Sequence, residues 1–102
     1  MKMAVYTVQQ IGDMLKKVCL DSRINKVILF GSHAKGSACE TSDIDLYLDS
    51  GGQITGFDFF ALKTQIEDAF LCEVDLLPDL DILPNSPIER EIKRHGVIVY
   101  GR

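Results

Sequence analysis

Two aspartates one residue apart, Asp43 and Asp45, sit inside the otherwise apolar run of "SDIDLYLD". On a strand, residues two apart point to the same side, so these carboxylates project together from Cα atoms roughly 6.6 Å apart. Closed to about 4 Å they repel by on the order of 4 kcal/mol at an effective dielectric of 20. Water can solvate such a pair, or a divalent cation can turn it into a ligand set. Mg²⁺ suits oxygen ligands of this kind and keeps waters that phosphate oxygens can replace. For an isolated D-x-D the ordinary explanation is a solvated acidic face on an edge strand. Three neighbouring features argue for chemistry. Gly31-Ser32 ends an apolar run and opens a turn, where backbone N–H groups and a hydroxyl can face an anion. There is no G-K-[ST], so this is not a Walker A loop. His33 and Lys35 follow at once, two groups able to meet phosphate charge. Finally, "EVDLLP" repeats the acid-in-apolar pattern, with Asp75 and Glu73 on the side opposite Val74 and Leu76. If the two acidic strands are neighbours, three carboxylates converge.

The remaining sequence supplies elements that could hold these groups. "TVQQIGDMLKKVCL" opens with a capping-box spacing, Thr7 and Gln10, and continues with Ile11, Met14, Leu15 and Val18 at helical intervals. It predicts a helix over 8–20 in which Gly12 is a weakness. "NKVILF" (25–30) reads as a buried strand ended by Gly31, and "SHAKG" has room only for a helical turn before Gly36. "SDIDLYLD" (42–49) alternates, with Ile44, Leu46 and Leu48 inward and Asp43, Asp45, Tyr47 and Asp49 outward. "DFFALKTQIEDAF" (58–70) places Phe59, Leu62, Ile66 and Phe70 along one helical face. The Phe57, Phe59, Phe60 group reads as core and loop anchoring. "CEVDLLP" (72–78) is a strand stopped by Pro78, and Pro87 opens the helix "PIEREIKRH" (87–95), with Ile88 and Ile92 turned inward. Its basic run, Arg90, Lys93, Arg94 and His95, reads as a solvated face near a helix C-terminus. "VIVY" (97–100) is a last strand. The connection between 25–30 and 42–49 is too short for a crossover helix, so those strands should be antiparallel neighbours. The expected fold is a small α/β (α+β) arrangement, a mixed sheet of about four strands flanked by helices.

The chain has 102 residues, 46% of them apolar and 25% charged, enough for one domain over 1–102 with a single core. A net charge of −4 and a pI near 5.0 argue against binding a nucleic acid by bulk electrostatics. The three cysteines, Cys19, Cys39 and Cys72, are odd in number and form no C-x-x-C pair, which fits a reducing compartment better than a disulfide framework. Neither a signal peptide nor a membrane-spanning run is evident, so a soluble cytoplasmic protein is expected.

Gly31-Ser32, ten residues, then Asp43-Ile-Asp45 is the G-S-x10-D-x-D pattern, and the chain resembles the DNA polymerase β-like nucleotidyltransferase superfamily. The short length, "SDIDLYL", "EVDLL" and "REIKRHGVIVY" look like its minimal nucleotidyltransferases, many of which are antitoxins paired with HEPN-domain toxins. The resemblance covers about Val27 to Tyr100. It implies the polymerase β-like nucleotidyltransferase fold, ATP with two Mg²⁺ ions, and nucleotide transfer with loss of pyrophosphate. Carried over by position, Asp43, Asp45 and Asp75 would hold the metals, and Asp75 would also accept or position the proton of the attacking hydroxyl. Gly31 and Ser32 would grip the phosphates. Relatives often read G-S-R-A-R-G where this chain has Gly31-Ser32-His33-Ala34-Lys35-Gly36, so the phosphate-facing charge is weaker here. The resemblance points to an adenylyltransferase that adds AMP to a tyrosine of a HEPN toxin encoded next door. Two rivals stand beside it: an antitoxin that neutralises by binding alone, and a transferase acting on a small molecule.

Overall fold

The computed structural model describes residues 6–18, 22–36, 38, 43–79 and 82–101. Four helices and four strands alternate: α1 (Val8–Val18), β1 (Lys26–Phe30), α2 (Gly31–Lys35), β2 (Ile44–Asp49), α3 (Gly56–Phe70), β3 (Val74–Pro78), α4 (Pro87–His95) and β4 (Val97–Gly101). Each expected element is present. Cys19 and Leu20, at the expected end of the first helix, and Cys39 lie outside the described residues.

The strands form one mixed sheet in the order β3-β2-β1-β4. As the short connection requires, β1 and β2 are antiparallel, and β4 pairs with β1 in the same sense. β3 lies parallel to β2, which α3 permits by carrying the chain back along the sheet. β2 buries alternate residues, Ile44, Leu46 and Leu48, as its pattern predicts.

Those three side chains join Val27, Leu29, Val74, Leu76 and Val99 on one sheet face. Ile11 and Leu15 of α1 and Leu62, Ile66 and Phe70 of α3 close over them. The Thr7–Gln10 capping box holds the start of α1. The Thr7 N–H donates to Gln10 Oε1 at 2.9 Å, and the Gln10 N–H donates to Thr7 Oγ1 at 3.1 Å. Tyr6 ties α1 to α3, its hydroxyl donating to the Phe70 carbonyl at 2.6 Å while its ring meets Phe70 edge-on. Gly12 has a packing role that its helix propensity conceals. A Cβ there would stand 2.9 Å from the Val99 carbonyl oxygen, so glycine lets α1 lie directly on β4.

The other face is covered only in part. α2 and α4 pack on each other and on β1. Phe30, His33 and Ile92 are buried there, and Gly96 lies against Ile28. Two expectations are corrected. Ile88 is 44% exposed, leaving Ile92 as the inward isoleucine of α4. Phe59 packs on the core, but Phe57 and Phe60 are 94% and 67% exposed. They fall on the outer side of the first turn of α3, where the helical arc has already left the sheet.

Candidate functional site

The parallel register of β2 and β3 sets Asp45 opposite Asp75. Paired residues on neighbouring strands share a face, so the second and third acids of the sequence pattern stand side by side. Asp43 lies two residues before Asp45, just ahead of β2, and is exposed. On the other flank, Asp45 pairs with Phe30, the last residue of β1, and the chain turns at Gly31 immediately beyond it. Four sequence features separated by up to forty-four positions thus meet at one edge of the open sheet face.

Gly31 is required at that turn. Its φ is +72°, and a Cβ there would collide with the Asp45 carboxylate. Helix α2 therefore starts with its backbone directly against Asp45. Ser32 follows in the first turn of α2.

Electrostatically the acids are one group. Asp45 is half-buried, and its pKa is raised from 3.8 to about 6, by burial first and then by the charges of Asp75 and Asp43. Asp43 and Asp75 also line a hollow of ≈ 350 Å³ with Lys63, Glu67, Glu73 and Val74. Lys63 and Glu67, one turn apart on α3, were not singled out in the sequence. They flank the core positions Leu62 and Ile66, and only the path of α3 over β3 brings them to the acids. Glu67 helps start β3, its Oε2 accepting from the Val74 N–H at 3.2 Å.

The two residues between the glycine–serine pair and the aspartates take other places. His33 is 8% exposed, and its Nδ1 has no hydrogen-bond partner among the described residues. Burial lowers its pKa, opposed by a hydrogen bond to the Asp43 backbone, so it is neutral at pH 7. It braces the approach to β2 from inside and presents no surface cation. Lys35 reaches α4, where its Nζ pairs with Glu91 Oε1 at 2.6 Å. Asp79 belongs elsewhere: its Oδ2 accepts from the Gly52 N–H at 3.0 Å, in the turn after β2, at the far end of that strand.

The donor set fits a hard divalent cation. It is made of carboxylate oxygens, the ligands Mg²⁺ takes, and a cation relieves both causes that lift Asp45, burial of its charge first and then repulsion by Asp75 and Asp43. Among the described residues, no three His, Cys, Asp or Glu side chains are drawn together closely enough to ligate one ion in this arrangement. The three aspartates share a neighbourhood, and side-chain rotation is needed to make them a ligand set.

Comparison with known proteins gives the family and the fold. The family described as "Polymerase beta, Nucleotidyltransferase" matches residues 9–102. A Methanocaldococcus jannaschii protein provisionally named a protein adenylyltransferase is 30% identical over 77 residues, covering 76% of this chain and 83% of that one. A second from the same organism, with the same provisional name, is 29% identical over 75 residues, covering 70% and 87%. Among solved structures, a chain of a toxin–antitoxin complex with AMP-PNP superposes with a TM-score of 0.71 at 19% identity, covering 95% of this chain and 75% of that one. A chain from the complex of a tri-AMPylated Shewanella oneidensis HEPN toxin with its MNT antitoxin gives 0.68 at 17% identity, covering 94% and 74%. No helix among the described residues is long and apolar enough to cross a membrane. With a match running from the first helix to the end of the last strand, the chain belongs to the polymerase β-like nucleotidyltransferase family.

Proposed function

We propose that this protein transfers AMP from ATP to a hydroxyl group on another protein, a tyrosine of a HEPN toxin, and so serves as that toxin's antitoxin. The observation that carries the reading is the Asp45–Asp75 register with Asp43 beside it and the Gly31 backbone packed on Asp45. That juxtaposition provides for both metal and triphosphate at one sheet edge. The protein-adenylyltransferase names of the relatives and the AMPylated toxin in a structural neighbour's complex favour a protein acceptor.

Asp43, Asp45 and Asp75 would hold two Mg²⁺ ions. Bound there, the ions supply charge neutralisation for the triphosphate and stabilise the attacking and leaving oxygens. Ser32 and the N–H groups that open α2 would face the phosphates and orient them. Gly31 lets that backbone come close, since no side chain stands between it and the Asp45 carboxylate. Asp75, the most exposed of the acids within the strands, takes or positions the proton of the acceptor hydroxyl. His33 supports the Asp43 end of this array through the backbone. The protein forms no covalent bond to the nucleotide; holding the reactants in line is its main contribution.

The test is incubation of the purified protein with ATP, Mg²⁺ and the HEPN protein encoded beside it. The expected result is a mass gain of one or more AMP units on a toxin tyrosine. No gain, under conditions where an active relative modifies its own partner, overturns the proposal. If an Asp43→Asn, Asp45→Asn double variant still protects cells from the toxin, neutralisation is by binding alone.

A further inference from the structure

Helix α4 concentrates positive charge, with Arg90, Lys93, Arg94 and His95, in a chain whose net charge is −4. Glu89 is used at the helix start. Its N–H donates to the Ser86 hydroxyl oxygen at 3.2 Å, and its carboxylate accepts from the Asn85 N–H at 3.1 Å. The same carboxylate pairs with Lys93 at 3.3 Å. Glu91 is taken by Lys35 of α2. Among the described residues this leaves Arg90 and Arg94, both exposed and one helical turn apart, outside any direct ion pair, although Arg94 and His95 lie near enough to Glu91 to favour its ionised form. Together with Pro87, Glu91 and His95 they line an open hollow of ≈ 320 Å³.

The position of that hollow matters as much as its charge. Lys35, which Glu91 holds, ends the five-residue helix whose first residue lies on the Asp45 carboxylate. Five helical residues span ~7.5 Å, so this short helix and the Lys35–Glu91 ion pair connect the hollow to the turn at Asp45. A protein that presents a hydroxyl to those acids is large enough to reach this part of α4 as well.

We propose that Arg90 and Arg94 form a docking site for an acidic segment of the protein that is modified, binding Asp or Glu side chains that flank the acceptor hydroxyl. This rests on the transfer reaction proposed above for the choice of partner, and on the geometry for the site itself. Guanidinium forks match carboxylates in pairs, and Arg90 and Arg94 present two of them along one helix face. A nucleic acid fits less well. The hollow's lining contains no Phe, Tyr or Trp side chain on which a base could stack, and two arginines in a chain of net charge −4 are too short a basic patch to track a long polyanion.

The experiment measures binding without catalysis, so it stands apart from whether AMP is transferred. A fluorescein-labelled Glu-rich peptide containing one tyrosine is titrated with the full chain, by anisotropy, beside a copy with Gln for Glu and a single-stranded oligonucleotide of equal charge. The expected result is preference for the Glu peptide over both controls. Affinity should fall about tenfold or more in Arg90→Glu, Arg94→Glu, as attraction at two surface sites becomes repulsion, and by less in the Gln–Gln variant. Both arginines are exposed, so the variants should keep the wild-type melting temperature, which is checked in parallel. Equal peptide binding by wild type and the Glu–Glu variant overturns the proposal. So does tighter binding of the oligonucleotide, or a loss in the variants of Mg–ATP affinity in place of peptide affinity.

Discussion

Asp45→Asn should make this protein more stable while abolishing its proposed activity. The substitution keeps the shape of the side chain and removes the central charge of three. In the folded protein the Asp45 pKa is about 6, against 3.8 for the unperturbed group, because burial and then Asp75 and Asp43 disfavour its ionised form. A rise of that size corresponds to at most ~3 kcal/mol of destabilisation when the group is ionised. The site is only half-buried, and screening by solvent brings this to ~1–2 kcal/mol. Since the folded-state pKa is the higher one, the penalty is fully present above pH ~6 and fades as the pH falls from there towards 4. The variant should therefore melt above the wild type at pH 7.5, by roughly 4–8 °C for each kcal/mol in a chain of this size. At pH 4 the two should converge. The assay is thermal unfolding followed by circular dichroism at both pH values in EDTA, repeated with Mg²⁺ and ATP. A ligand at a hundred times its Kd stabilises by about 2.7 kcal/mol, so Mg–ATP should raise the wild-type melting temperature and leave that of the variant nearly unchanged. A variant less stable than wild type at pH 7.5, or a difference that is the same at pH 7.5 and pH 4, would refute the account of Asp45 as a strained member of a carboxylate cluster.

Gly31→Ala should lower stability by at least ~1–2 kcal/mol, from the left-handed conformation alone, and should abolish AMP transfer because the new methyl group displaces the Asp45 carboxylate. Urea unfolding and the transfer assay read the two effects separately. Leu46→Ala, at a fully buried position in a central strand, should cost ~2–5 kcal/mol, seen as a lower urea midpoint with an unchanged slope. Tyr6→Phe keeps the edge-on contact with Phe70 and loses only the hydroxyl donor, so a cost of ~1 kcal/mol is expected in the same measurement.

Part of the candidate site's geometry was legible in the sequence because it depends on local structure. The two-residue repeat of a strand predicts that Asp45 faces away from Ile44 and Leu46, and it does; Asp43, expected on the same strand, lies just ahead of it. The short connection between β1 and β2 leaves those strands no choice but to run antiparallel. The Thr7–Gln10 spacing foretold two specific hydrogen bonds, and both are present. Other features look alike in sequence and separate only in three dimensions. Gly12 reads as a flaw in a helix until Val99 is seen against it, and Phe57 and Phe59 differ by two positions yet lie on opposite sides of the helix surface. His33 and Lys35 read as a pair of phosphate-facing groups, but one is buried beneath the Asp43 backbone and the other is held by Glu91. Sequence by itself thus determined which groups could do the chemistry and the spacing of those on one strand, since backbone periodicity is set residue by residue. Tertiary structure decided that Asp75 stands opposite Asp45 and that Lys35 of α2 is held by Glu91 of α4. Register between strands joined by a helix, and the pairing of charges on different helices, follow from how the whole core packs.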